Sequence, residues 1–149
     1  MTLAPGDDAP KIAARNQDDG TVRIDGDAPT VLYFYPKDAT PGCTTEARQF
    51  QAELESYRDA GITVYGVSTD TVDDHRAFCE AEGLDFDLLA DPDGDVADAF
   101  DVDRTGGVTD RTTFVLADGE VYAVYEDVAP DGHAREVLRD LLDDGLAAL

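Results

Sequence analysis

The sequence contains very little lysine, few basic residues of any kind and no long apolar run. Lys11 and Lys37 are the only lysines in 149 residues, and 34 acidic residues against 11 basic ones give a formal net charge of −23. Such a chain repels nucleic acid, so we expect no nucleic-acid partner. No apolar run approaches the roughly 18 residues that a membrane span needs, so we expect no membrane partner either.

The beginning of the chain lacks the features of a secretory signal. Its first residues, MTLAPGDDAPKI, have neither a basic start nor an apolar stretch, which favours a cytoplasmic location. The acidic residues are spread among apolar segments, and this favours a folded domain with an acidic surface over a disordered tail. An aspartate-rich, lysine-poor surface resembles cytoplasmic proteins of extreme halophiles, and the alternative is an unusually acidic mesophile protein.

Cysteine is also scarce, since Cys43 and Cys79 are the only two. The cytosol keeps ordinary thiols reduced, so two cysteines there favour catalysis or redox chemistry over a disulfide framework. A chain of 149 residues can bury a core without disulfides or structural metal. Because neither an internal repeat nor a low-complexity linker divides it, we predict one domain over residues 1–149.

The apolar pattern predicts strands that alternate with helices. The predicted strands are residues 21–24, 30–35, 62–68, 86–91, 111–116 and 120–125. The predicted helices follow Cys43 up to about Gly61, then cover 72–82, 96–100 and 134–142. This order, with a hairpin and a helix at the end, predicts an α/β domain with a mixed sheet and is compatible with a thioredoxin-like fold.

Cys43 ends the rigid, polar stretch YPKDATPGC, where the coil after a predicted strand becomes a helix. Backbone N–H groups at a helix start are unpaired and carry a partial positive charge, which stabilises a thiolate over a thiol. Pro36 restricts the chain as it leaves the strand, and Thr40 offers a hydroxyl three residues before the sulfur. Gly42 permits close approach of the backbone. The sequence therefore places a cysteine where it would be reactive.

These residues carry a family resemblance. PKDATPGC matches the Pro-x-x-x-Thr-x-x-Cys signature of peroxiredoxins, and YFYPKDATPGCTTEA, GLDFDLLADPDG and RTTFVL together resemble the bacterioferritin comigratory protein (PrxQ) subfamily. The resemblance implies a thiol-dependent peroxidase that reduces hydrogen peroxide or alkyl hydroperoxides without a metal, haem or flavin cofactor. It also implies a thioredoxin-like fold with a mixed central sheet, flanking helices and an N-terminal β-hairpin, and a thioredoxin-like reductant as partner.

The resemblance also implies roles for individual residues. Cys43 would be the peroxidatic cysteine, Thr40 would hydrogen-bond the peroxide, Pro36 would shield the thiolate, and Arg111 would be the active-site arginine. The chemistry agrees, because thiolate attack on a peroxide builds negative charge on the departing oxygen, which a nearby arginine stabilises. The alternative for Arg111 is an ion pair with one of the many acidic residues.

Two further residues are expected to support the site. Glu46 lies one turn after Cys43, where an unpaired carboxylate would oppose the thiolate. The family pairs the matching glutamate with the arginine, so Glu46 is expected to orient Arg111; alternatively it only favours the first helical turn. Tyr35 either lines the pocket or belongs to the core.

Cys79 is expected to be the resolving cysteine. Many members of the subfamily carry that cysteine five residues after the peroxidatic one, where this chain has Arg48. Another subset carries it on the next helix, as Cys79 would be. The alternative is a small core residue, which would make the protein a one-cysteine peroxiredoxin with an external thiol as resolver. A non-catalytic thioredoxin-like binding or chaperone module is the alternative from another class.

Other patterns are weaker. The two cysteines with His75 and His133 could supply four zinc ligands, but the sequence lacks the usual ligand spacing and we expect no metal site. The stretch DPDGDVADAF lacks the closing glutamate of a calcium loop and is expected to be a turn and helix cap. The chain also lacks the long extension after the last helix that carries the resolving cysteine in obligate-dimer peroxiredoxins, so a monomer is expected.

Overall fold

The computed structural model describes residues 2–145, which form strands and helices in alternation. The strands are β1 (Ile12–Arg15), β2 (Thr21–Ile24), β3 (Thr30–Phe34), β4 (Thr63–Ser68), β5 (Asp87–Ala90), β6 (Arg104–Thr105), β7 (Val108–Thr109), β8 (Thr112–Ala117) and β9 (Glu120–Tyr125). The helices are α1 (Pro41–Asp59), α2 (Val72–Glu82), α3 (Asp95–Ala99) and α4 (His133–Asp143). Within residues 2–145, no helix combines the length and the apolar character that crossing a membrane requires.

Seven strands form one mixed sheet in the order β2-β1-β5-β4-β3-β8-β9. The neighbours β3, β4 and β5 are parallel, because helices α1 and α2 connect them, whereas β8 is antiparallel to both β3 and β9. The β1–β2 hairpin extends the sheet beyond β5. The mixed sheet and the N-terminal hairpin are thus confirmed.

Each face of the sheet carries its own core, because successive side chains of a strand point to opposite faces. Val31 and Tyr33 of β3 belong to a cluster with buried residues of α1, α2 and α4, whereas Leu32 and Phe34 belong to a cluster with α3. Both cysteines lie in the first cluster. The helices that carry Cys43 and Cys79 therefore share one core.

The residues at the helix ends give each end a local stabilising contact or conformation. Thr40 is the N-cap of α1 and Pro41 occupies its first position, where the missing N–H of proline costs nothing. Thr71 and Asp74 form a reciprocal capping box at the start of α2, and Gly83 ends that helix with a left-handed φ of 65°. Caps at both ends give α2 a defined length.

The strand boundaries differ slightly from the prediction. The strand predicted for residues 30–35 ends at Phe34, and the one predicted from Arg111 begins at Thr112. β1, β6 and β7 were not predicted individually. β6 and β7 have two residues each, which is too short for an alternating pattern to appear, and they form a separate ribbon.

Candidate active site

Cys43 lies in the first turn of α1, directly after the loop that leaves β3. The residue is only 1% exposed. The amide groups of a first helical turn have no acceptor within the helix and carry a partial positive charge. The local structure thus agrees with the helix start predicted at this cysteine.

Arg111 contacts Cys43 directly. It immediately precedes β8, whose Thr112 pairs with Phe34 at the end of β3, so the sheet places this arginine beside the start of α1. Its Nη2 donates to Cys43 Sγ at 3.1 Å. The Arg111 side chain is 17% exposed, so solvent screens this contact less than it would at the surface.

Glu46 holds the other side of the guanidinium. Nη1 of Arg111 donates to Glu46 Oε1 at 2.8 Å, and Glu46 is 1% exposed. Burial raises the pKa of Glu46 from 4.5 to about 7, while the charge of Arg111 opposes that rise. Cys43 and Glu46 lie three positions apart on one helix face, so one guanidinium reaches both side chains.

Thr40 and Pro36 lie on the loop between β3 and α1, and both are half-buried. The Thr40 hydroxyl donates to the carbonyl oxygen of Lys37 at 2.8 Å. Because its hydrogen is used there, the hydroxyl oxygen is left to accept a hydrogen bond.

Cys79 lies in α2 and is 8% exposed. Both cysteines are free thiols in the structure, and both helices are intact. Burial, reinforced by the charge of Asp38, raises the pKa of Cys79 to about 12. Arg48 of α1 forms an ion pair with Glu82 of α2 and thereby joins the two helices that carry the cysteines.

Tyr35 is a core residue with a polar contact that the sequence analysis did not predict. It is 1% exposed, and its hydroxyl donates to Asp38 Oδ1 at 2.6 Å. The other oxygen of Asp38 lies 2.6 Å from Nδ1 of His75 on α2. A signal was available in the sequence, since His75 shares the buried face of α2 with Phe78 and Cys79.

Comparisons with known proteins identify the family. The model of the AhpC/TSA family matches residues 5–124. Peroxiredoxin Bcp of Xanthomonas campestris is 41% identical over 119 residues, which cover 74% of each chain. The chain is a peroxiredoxin of the Bcp/PrxQ family. The crystal structure of peroxidoxin BcpB from Mycobacterium tuberculosis has a TM-score of 0.88 and 33% identity, over 95% of this chain and 97% of that one.

The crystal structure of a PrxQ mutant from Xylella fastidiosa is also similar to this chain. It has a TM-score of 0.89 and 30% identity, over 97% of this chain and 98% of that one. These likenesses confirm the thioredoxin-like fold. The protein is therefore an enzyme, a thiol peroxidase that uses a hydroperoxide as substrate and a thiol as reductant. The alternative of a non-catalytic binding module is not supported.

The four candidate zinc ligands, the two cysteines with His75 and His133, do not form one cluster in this peroxiredoxin. His133 Nε2 faces Thr113 Oγ1 at 2.8 Å, and His75 pairs with Asp38. Within residues 2–145, the one cluster with metal-ligand geometry is Asp38, Asp70 and His75, which contains no cysteine.

The stretch that faintly resembles a calcium loop is a helix cap. Both oxygens of Asp91 accept hydrogen bonds at 2.9 Å from the backbone of α3, from Val96 and Ala97. The predicted turn and helix cap are thereby confirmed.

Gly42→Ala is expected to slow peroxide reduction, because the added methyl group would displace the guanidinium of Arg111. A Cβ at Gly42 would lie 2.7 Å from Arg111 Nη2 and 3.4 Å from Pro130 Cγ. Because Nη2 ends a flexible side chain, it can move away, but it then leaves Cys43. We expect the second-order rate constant for peroxide reduction to fall on the order of 10- to 100-fold, with a melting temperature close to wild type. A wild-type rate would show that Arg111 tolerates the methyl group in place.

Glu46→Gln is expected to change how stability depends on pH. The pKa of Glu46 is raised on folding from 4.5 to about 7, so the folded state binds this proton more tightly than the unfolded state does. The contribution of Glu46 to the free energy of unfolding is therefore fully present below pH 4.5 and decreases as the pH rises to 7. The free energy of unfolding of wild type, relative to Glu46→Gln, should fall across this range by about 3 kcal/mol. Denaturant titrations of both proteins at several pH values measure this difference. A difference that stays constant would mean that Glu46 is ionised throughout.

Proposed function

We propose that Cys43 is the peroxidatic cysteine and that Arg111 assists it directly. The thiolate attacks the terminal oxygen of the hydroperoxide, the O–O bond breaks, and the departing oxygen takes a proton to leave as alcohol or water. Cys43 becomes a sulfenic acid. The observation that carries this proposal is the contact of Arg111 Nη2 with Cys43 Sγ at 3.1 Å, because a guanidinium there stabilises both the thiolate and the developing charge on the departing oxygen.

Thr40 and Pro36 complete the proposed peroxide site. The Thr40 oxygen is free to accept, since its hydrogen bonds Lys37, and a hydroperoxide O–H is a donor. Pro36 has no backbone N–H and carries an apolar ring, which suits a role in shielding the thiolate. Glu46 acts through Arg111, holding the guanidinium by its second nitrogen.

Resolution by Cys79 is the second part of the proposal. The Cys79 thiol loses its proton, and its sulfur attacks the sulfur of the Cys43 sulfenic acid. The disulfide bond forms, the S–O bond breaks, and the hydroxyl leaves with that proton as water. The solved structures of the X. campestris PrxQ include serine mutants of two cysteines, and these are 36 positions apart, as Cys43 and Cys79 are here. A dithiol partner of the thioredoxin type would then reduce the disulfide and become oxidised in its place.

The compact structure does not favour this second step. A thiolate is the attacking species in thiol chemistry, and burial keeps Cys79 a thiol by raising its pKa to about 12. Intact helices hold both cysteines in place. We therefore propose that the first turn of α1 and the end of α2 open locally before the disulfide forms. The Arg48–Glu82 ion pair is a small obstacle, because Arg48 is exposed.

Intact mass after one equivalent of hydrogen peroxide tests the proposal. We expect the reduced protein to lose two hydrogens and both free thiols, as an internal disulfide requires. A persistent gain of one oxygen would favour the one-cysteine alternative, in which Cys79 is a core residue and an external thiol resolves Cys43. An unchanged mass would refute the role of Cys43.

The acidic composition supports a proposal about the source, an extreme halophile. A net charge of −23 on a chain of this size makes the compact state repel itself in dilute buffer. Molar salt shortens the Debye length to about 3 Å, so we expect the melting temperature to rise from dilute buffer to molar KCl. Differential scanning fluorimetry over a KCl series measures this. A flat or falling melting temperature would count against the halophile proposal.

We also propose that the protein is a monomer, forms a single domain over residues 1–149 and has a cytoplasmic location. The monomeric state rests on the sequence expectation. A single domain is supported by two cores that share one sheet. The cytoplasmic location rests on the sequence expectation. Sedimentation of the reduced and oxidised protein tests the first.

A further inference from the structure

A buried hydrogen-bond network joins the loop before Cys43 to the helix that carries Cys79. It consists of the side chains of Tyr35, Asp38 and His75, and we call it the Asp38 network. Asp38 lies in the loop, and His75 lies on α2 one turn before Cys79. Asp38 is 8% exposed, Tyr35 is 1% exposed and His75 is fully buried.

Nδ1 of His75 lies 3.4 Å from the Tyr35 hydroxyl oxygen, and both ring nitrogens of the histidine have a hydrogen-bond partner. Its Nε2 donates to the carbonyl oxygen of Leu89 at 3.0 Å, and since a carbonyl only accepts, Nε2 carries a hydrogen. The contact between Nδ1 and Asp38 Oδ2, at 2.6 Å, holds one further proton. Separating the loop from α2 would leave both buried groups without this bond, which is costly.

The loop itself adopts a conformation that needs support. Ala39, between Asp38 and Thr40, has a left-handed φ of 63°, which an alanine keeps only where its surroundings hold it. The support comes from Asp38, whose backbone N–H donates to Asp70 Oδ2 at 2.8 Å and whose side chain is held by Tyr35 and His75. The shape of the peroxide-binding loop therefore depends on α2.

We propose that Asp38 and His75 are positioning residues that couple the two steps of the catalytic cycle. The intact network holds the loop 36–40 in the form that serves peroxide reduction at Cys43, and it keeps Cys79 in the core until α2 opens. Breaking the network impairs the first step and promotes the second, since a larger fraction of molecules reaches the open form that Cys79 requires. The inference rests on the proposed resolution by Cys79.

Rapid-quench mixing of reduced protein with hydrogen peroxide, followed by intact mass, measures the two steps separately. The second-order rate constant reports oxidation of Cys43, and the first-order constant reports conversion of sulfenic acid to disulfide. For His75→Ala we expect the first constant to fall and the second to rise, each about tenfold. His75→Asn, whose amide reaches the position of Nδ1, should restore both constants in part.

His133→Ala is the matched control, because His133 is also a buried histidine with a hydrogen bond, but on α4. We expect both of its rate constants to stay within about twofold of wild type. Constants that fall together in His75→Ala, or that match those of the control, would overturn the coupling. Wild type that forms no disulfide would instead refute the proposed resolution, and the inference with it.

Tyr35→Phe covers the case in which His75→Ala fails to fold. It removes only the hydroxyl that donates to Asp38 Oδ1, so the aromatic packing stays. We again expect the rate constant for oxidation of Cys43 to fall and the rate constant for disulfide formation to rise, each by less than in His75→Ala. A double variant with Asp38→Asn should add little to Tyr35→Phe if the two residues act as one unit. Additive effects, or equal rates in Tyr35→Phe and wild type, would contradict the network.

Discussion

Arg111→Ala is expected to lower the second-order rate constant for peroxide reduction by roughly 100- to 1,000-fold, the usual effect of removing one donor that stabilises a developing negative charge. The contact of Nη2 with Cys43 is lost, so both the thiolate and the departing oxygen lose their nearest cation. Stopped-flow measurements with hydrogen peroxide, at fixed pH and salt, give the rate constant. Equal rates in wild type and Arg111→Ala would remove Arg111 from the mechanism.

Three further variants test whether the effect of Arg111→Ala comes from its contact with Cys43. Arg104→Ala removes the same charge from an arginine that pairs with Asp98, and we expect it to react like wild type. Arg111→Lys keeps the charge but cannot place one nitrogen on Cys43 and another on Glu46 as a guanidinium does, so an intermediate rate is expected. Cys43→Ser should abolish turnover, because it removes the sulfur that accepts the oxygen.

Cys79→Ser is expected to retain the first peroxide reduction and to lose turnover with thioredoxin. Without a second thiol, the sulfenic acid of Cys43 persists and is oxidised further as peroxide accumulates. Intact mass during turnover should show one or two added oxygens in place of a disulfide. A small external thiol, which can reach Cys43 on its own, should restore cycling.

If Cys79→Ser cycles with thioredoxin as fast as wild type, the enzyme is a one-cysteine peroxiredoxin and Cys79 serves only in packing. Hydrogen exchange on the reduced and oxidised wild type is an independent check, because the proposed opening predicts loss of protection in the first turn of α1 and the end of α2.

Much of the fold was predictable because its signals are local. The caps of α2 at Thr71 and Gly83 act within a few residues, and the hairpin turn between β8 and β9 is formed by Asp118 and Gly119, both with positive φ. The same holds for Cys43 at a helix start. β1 could not be predicted in the same way, since four residues with two alanines carry little strand signal.

The sequence by itself determined the family signature around Cys43, the order of strands and helices, the caps that bound α2 and the acidic surface, because each depends on residue types and their spacing along the chain. Only the tertiary structure decided which side chains meet. The pairing of β8 with β3 brings Arg111 to Cys43 across 68 positions of sequence, and the shared core brings His75 to Asp38 across 37. Such contacts depend on strand register and helix packing, which local patterns do not specify.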